Sequence, residues 1–256
     1  MFTRGKNVTI CEHAVVGEQV VLEDDVYVDA GAIIKDYVHI KKGSYIGNGC
    51  IIGEYLGDFF RDFKNDNPHP LVIGEKSVIR SGTILYGGST IGDCFQTGHQ
   101  AVVRENCTLG HHVRVGTMTD IQHSCRIGNY VRMHRQVFLG EETVREDFVW
   151  LFPGVTITND PTPPSNVLKP VTVKQYAVVS ARAVLLPGIT IGENSLVGAG
   201  CIVTKDVPEE KLVLGTPGKV VADVRDIINK ETGEAAYPWK EHFDRGMPWK
   251  GIEKHV

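Results

Sequence analysis

The sequence predicts an all-β solenoid, a parallel β-helix, on three observations. An aliphatic residue returns at every sixth position, a small or β-branched residue stands four places after it, and glycine often follows it directly. A helix would need a period of 3.6, and a lone alternating strand has no reason for punctuation every sixth residue. Short extended runs joined by tight turns produce both features.

The hexads fall in three blocks. The first runs through Ile10, Val16, Leu22, Val28, Ile34, Ile40, Ile46 and Ile52, the second from Ile73 to Ile157, and the third from Val173 to Val203. Of 29 anchors, 27 are Ile, Leu, Val or Met, against roughly 8 expected by chance; Thr97 and Arg145 are the exceptions. Each anchor is expected to point inward, so that neighbouring coils stack into one continuous core. Glycines such as Gly17, Gly47, Gly53, Gly74, Gly92, Gly110, Gly116, Gly128 and Gly192 are read as corner residues with backbone angles that others avoid. Two insertions interrupt the period, at 54–70 (with Phe59, Phe60, Phe63 and Pro68-His69-Pro70) and at 160–170 (with Pro161, Pro163, Pro164 and Pro170). Proline cannot donate to a sheet ladder, so both are loops, and loops projecting from a solenoid often line its site. The end of the chain changes period. Val220, Val221, Val224, Ile227 and Ile228 suit a short amphipathic helix ending near Gly233. The aromatic run Tyr237-Pro238-Trp239, His242-Phe243 and Met247-Pro248-Trp249 is expected to pack across the open end or side of the prism. The division is therefore 1–218 for the solenoid and 219–256 for the helix and aromatic tail.

Composition narrows the function classes. With 256 residues, 42% hydrophobic and 23% charged, the chain is not wholly disordered. No stretch nears ~18 consecutive apolar residues, so no membrane partner is expected. The first residues lack the apolar core of a secretory signal, which points to a cytoplasmic protein. A net charge of −4 without a basic cluster argues against nucleic acid. The six cysteines are scattered, with no C-x-x-C pair, and are read as reduced.

The segment after the last block, Leu214-Gly215-Thr216-Pro217-Gly218-Lys219-Val220-Val221, is more specific. It resembles the G-x-P-A-K motif that closes the β-helix in acyl-CoA-dependent hexapeptide-repeat acyltransferases, with Gly218 in place of the usual Ala. Upstream, Leu186-Pro187-Gly188-Ile189-Thr190-Ile191-Gly192 and Val197-Gly198-Ala199-Gly200 resemble the coils that hold coenzyme A in those enzymes. The resemblance covers about residues 8–221. It implies a left-handed helix with three hexads to a coil and about ten coils, a hand that the general preference for right-handed crossovers would not predict. It also implies acetyl-CoA or another acyl-CoA as cosubstrate, and a homotrimer with active sites between subunits. Ser180, Ala181, Arg182, Ala199 and Lys205 are then the cofactor-binding candidates: small side chains let the pantetheine arm approach backbone amides, and Lys and Arg can meet phosphates.

The stretches Arg80-Ser81-Gly82-Thr83, Thr97-Gly98-His99, Val103-Arg104-Glu105-Asn106 and Thr158-Asn159-Asp160 resemble nucleotide-sugar N-acyltransferases, in particular those acting on a dTDP-linked amino-dideoxyhexose. That likeness implies a nucleotide-linked amino sugar of surface-polysaccharide synthesis as acceptor, held by Arg80, His99, Arg104, Asn159 and Asp160 with Glu141 nearby. Asn159 and Asp160 also suit a turn before Pro161. The run from His123 to Gly128 resembles bacterial UDP-amino-sugar acetyltransferases, in which a His followed by an acid is the base. Ser124 stands where the acid is expected, which removes the group that would orient the ring. His123, His134 and Glu141 are the catalytic candidates. A neutral amine would attack the thioester, and the protein must align it, stabilise the oxyanion and route the proton. Three alternatives remain open. The acceptor could be a hydroxyl, of serine or a sugar, which needs stronger base assistance. The solenoid could be non-catalytic. A γ-type carbonic anhydrase shares the fold, but it places two zinc-ligating His five residues apart, and no pair among the ten His here has that spacing. No metal is expected.

Overall fold

A computed structural model describes residues 2–63 and 68–250. The chain winds as a left-handed parallel β-helix. Strands of mostly two residues pair with the third strand after them, which builds two sheets of ten strands and one of twelve. One coil is 18 residues. On the first face Ile73 pairs with Ile91, Ile91 with Leu109, and Leu109 with Ile127. The second face stacks Thr97 on Val115 and Val115 on Met133. The third stacks Val103 on Ile121 and Ile121 on Leu139. These anchors form one core running the length of the prism, and each buried Leu or Ile contributes about 1.5–3 kcal/mol.

Both exceptional anchors point inward as well. Thr97 is buried, with its hydroxyl accepting from the Arg80 backbone amide at 2.8 Å. Arg145 is 2% exposed, and none of its three guanidinium nitrogens has a hydrogen-bond partner among the described residues. Burial pushes its guanidinium down to about 10.

The glycines that follow anchors have a different role from the expected one. Of the nine, only Gly53 has a positive φ. The others are needed for close approach: a Cβ on Gly116 would lie 2.3 Å from the carbonyl carbon of His134 in the next coil. The left-handed corner angle occurs two residues later and is carried by Cys94, His112, Tyr130 and Phe148, among many non-glycine residues.

The three edges of the prism are the turns between faces. In one coil the first edge is 92–95, the second 98–101 and the third 104–107. Both insertions leave from the third face and rejoin on the first, after Ile51–Glu54 and after Thr156–Ile157, so both project from the third edge. The first is tied down where Gly88 N–H donates to the His69 carbonyl at 3.0 Å. The second is held where Lys169 N–H donates to the Asn159 carbonyl at 2.7 Å.

The expected helix after 219 is absent. Lys211–Leu214 extends the second sheet, and Lys219–Asp223 returns antiparallel to it as a hairpin. A 3-10 turn, Val224–Asp226, follows directly, and two more, Trp239–Glu241 and Pro248–Lys250, lie in the tail. Val220 and Val221 are β-branched, which favours extended backbone, and the neighbouring strand offers an open edge for pairing. The aromatic tail then packs on the side of the prism. Trp239 and Met247 are buried with Val178 against Trp150, Tyr176 and Phe243, and Trp239 Nε1 donates to the Tyr176 carbonyl at 2.7 Å. All six cysteines are free, and no helix among the described residues is long and apolar enough to cross a membrane.

Candidate active site

Stepping 18 residues from Glu105 leads to His123, Glu141 and Asn159. The pairings Val103–Ile121, Ile121–Leu139 and Leu139–Ile157 set these four residues on one line along the third edge, between the two loops. His123 Nε2 lies 3.2 Å from Glu141 Oε1, and both side chains are about one-third exposed, at 32%. Asn159 Nδ2 donates to the other Glu141 oxygen at 3.3 Å. On the far side of the ring, His123 Nδ1 is 3.2 Å from the Ser124 hydroxyl. One coil below, Arg104 makes a two-pronged contact with Glu105 at 2.8 and 2.9 Å and lies over the Tyr86 ring. Burial pushes the Glu105 carboxyl up, but the Arg104 guanidinium, its own backbone amide and His123 hold it below the ordinary range. Burial raises Asp120, on the third face beside Gln122.

The structure sets the Glu141 carboxylate beside His123 Nε2 and the Ser124 hydroxyl beside its Nδ1. The orienting carboxylate comes from the next coil, as Glu141, and not from the neighbouring position in sequence. When Nε2–H is donated to Glu141, Nδ1 keeps its lone pair, and the Ser124 hydroxyl can donate to it. An imidazole about one-third exposed, between a carboxylate and a hydroxyl, can act as a general base.

The structure brings His123, Glu141, Arg104 and Asn159 together. Asp160 does not join them. Its carboxylate accepts from the Thr162 and Ser165 amides at 2.9 and 2.7 Å and from the Ser165 hydroxyl at 2.6 Å. The Ser165 hydroxyl in particular holds it below its usual range. It organises the loop, as Asp before a proline-rich turn commonly does. Arg80, His99 and His134 sit on the second edge, at the other end of the third face. His134 stacks on Phe152 with ring centroids 4.7 Å apart, and burial, then Arg132, pushes its imidazole down. Ser180, Ala181, Arg182 and Ala199 lie higher on that second edge, where a Cβ added to Gly200 would meet nothing within 4 Å. Lys205 follows Val203 onto the third edge, apart from the other four. Glu105 was not among the expected site residues, although the 18-residue step to His123 and Glu141 could have revealed it. Among the described residues no group of three or more His, Cys, Asp or Glu could hold a metal ion.

The fold and this edge define the class as a left-handed solenoid of hexapeptide type with a His–carboxylate pair beside projecting loops. Comparison with known proteins gives the particular relatives. No family model matches the chain. A stretch of 88 residues is 34% identical to the galactoside O-acetyltransferase of Escherichia coli, covering 31% of this chain and 43% of that protein. Another of 102 residues is 33% identical to the serine acetyltransferase of Bacillus pumilus, covering 40% and 46%. The chain thus spans less than half the length of these curated relatives. Among solved structures, the serine acetyltransferase of Neisseria gonorrhoeae is 28% identical over 41% of each chain with a TM-score of 0.38. Each of these three relatives is an acetyltransferase by name.

Proposed function

We propose that the protein is an acetyl-CoA-dependent acyltransferase that works at the third edge, with a nucleotide-linked amino sugar as acceptor. The observation that carries this reading is the line of Glu105, His123, Glu141 and Asn159 between two loops. Bound acetyl-CoA would supply an acyl group activated as a thioester. His123 Nδ1 takes a proton from the acceptor nucleophile as it attacks the thioester carbonyl, and returns it to the leaving sulfur. Glu141 fixes the tautomer and stabilises the imidazolium, as the acid of a catalytic triad does. Asn159 holds the second Glu141 oxygen, and Glu105 fixes Arg104 as a cation facing the acceptor. The coenzyme candidates occupy the second edge, so a ligand spanning both groups is best served by two copies of the chain. A homotrimer with head-to-tail contacts would put the second edge of one copy against the third edge of the next.

A second reading, transfer to a hydroxyl, is favoured by the His123–Glu141 pair itself. An alcohol depends on base assistance far more than a neutral amine does. The two readings separate in one experiment. The protein is incubated with acetyl-CoA and a panel of nucleotide-linked amino sugars, simple sugars and serine, and the products are weighed by mass spectrometry before and after hydroxylamine. An acetylated nucleotide sugar that resists hydroxylamine is an amide and supports the first reading. A hydroxylamine-labile product is an ester and supports the second. Absence of acetylated product from every acceptor contradicts both.

A further inference from the structure

The second face carries a concentration of positive charge that the third-edge chemistry does not use. Arg114 and Arg132 are direct partners in neighbouring strands, with side chains on the outer surface. Like charges directly opposite in a sheet repel. The aromatic tail adds a third arginine. Arg132 Nη2 donates to the carbonyls of Arg245 and Gly246, both at 3.0 Å. A Cβ built on Gly246 would be 2.6 Å from Arg132 Nη2 and 3.7 Å from Arg114 Nη2, so the two guanidinium groups converge on one point. Among the described residues none of the three arginines has a carboxylate partner. Burial, then Arg114 and Arg245, pushes the Arg132 guanidinium down to about 10. Beside them runs a groove of about 310 Å³ lined by Arg80, His99 and Arg114, with Gly98 and Gly116 at the turn and no Asp or Glu in its walls.

We propose that Arg114, Arg132 and Arg245 hold the diphosphate of a ligand lying in this groove. Guanidinium forks match phosphate oxygens geometrically and are the strongest side-chain donors to them. A diphosphate is the chemistry shared by coenzyme A and a nucleotide-linked sugar, and the choice of these two as sources rests on the acyltransferase reading. The site itself does not. Because the second face lies across the prism from the third edge, its ligand would react at His123 of a neighbouring copy.

Isothermal titration of the full chain with inorganic pyrophosphate tests the proposal without any acyl transfer. The wild type is expected to bind pyrophosphate. Arg114→Gln, an exposed substitution, and Arg245→Gln should each weaken binding at least tenfold, with thermal melting and oligomeric mass unchanged. Competition names the source: displacement of pyrophosphate by coenzyme A assigns the site to the cosubstrate, and displacement by a nucleotide sugar assigns it to the acceptor. Absence of pyrophosphate binding by the wild type, or unchanged binding by both variants, overturns the proposal. A change of oligomeric mass in Arg114→Gln also overturns it, because the arginines would then belong to a subunit contact. If no acceptor is acetylated but pyrophosphate still binds through Arg114, the acyltransferase reading fails and the anion site stands.

Discussion

His123 and Arg145 show how far a residue's neighbours decide its role. His123 has an unremarkable sequence context, and the acid expected next to it is a serine. Its carboxylate arrives from one coil above, through a column whose members are 18 residues apart. Arg145 stands in an anchor slot between Ile127 and Val173, where its charged head has no hydrogen-bond partner and no carboxylate among the described residues. A buried charge without a partner is costly, and replacing buried ionic groups by apolar ones of similar size is often stabilising by about 1–4 kcal/mol. Arg145→Leu should therefore raise the urea midpoint and the melting temperature. A large loss of stability would show that the guanidinium has an interior partner, and that the charge supports the core.

At the scale of elements, the period of six supplied the inward column, while three hexads to a coil came from the family resemblance. The same step, taken three at a time, would have gathered Glu105, His123, Glu141 and Asn159 onto one edge and shown that both insertions leave from it. Other features were beyond a periodic reading. The closing segment is a hairpin because a free sheet edge was available to Val220 and Val221, and sequence alone does not display free edges. The arginine cluster depends on the tail returning to Arg132 from 113 residues away, a contact with no local signal. The glycines show a correct residue class with a mistaken cause: coil-to-coil distance, and not φ, excludes a side chain after most anchors. Gly116→Ala is the test. Its Cβ meets the backbone of His134 and Arg135 at 2.3 and 2.5 Å, and overpacking of this kind costs about 1–3 kcal/mol. Gly57→Ala, with nothing within 4 Å, should stay within about 0.5 kcal/mol of wild type. Equal urea midpoints for the two variants would show that the coils can separate freely, and the close-approach account would be wrong.

On the scale of the whole molecule, the solenoid is a rigid ruler that carries its chemistry on the outside. The third edge holds a His–carboxylate pair flanked by loops, the second carries the coenzyme candidates, and the second face, opposite the third edge, is cationic. No single copy brings the three together, which is the physical reason for expecting neighbouring copies to complete the site. The central claim is that His123 takes the proton during transfer from acetyl-CoA. The most direct measurement is the rate of free-thiol release from acetyl-CoA in the presence of the best acceptor, for wild type and for His123→Ala. General-base catalysis is worth roughly 10²–10⁴ in rate. The account predicts acceptor-dependent thiol release by the wild type and a loss of at least a hundredfold in kcat for His123→Ala, with its melting temperature preserved. Thiol release by a folded His123→Ala variant at the wild-type kcat would contradict it.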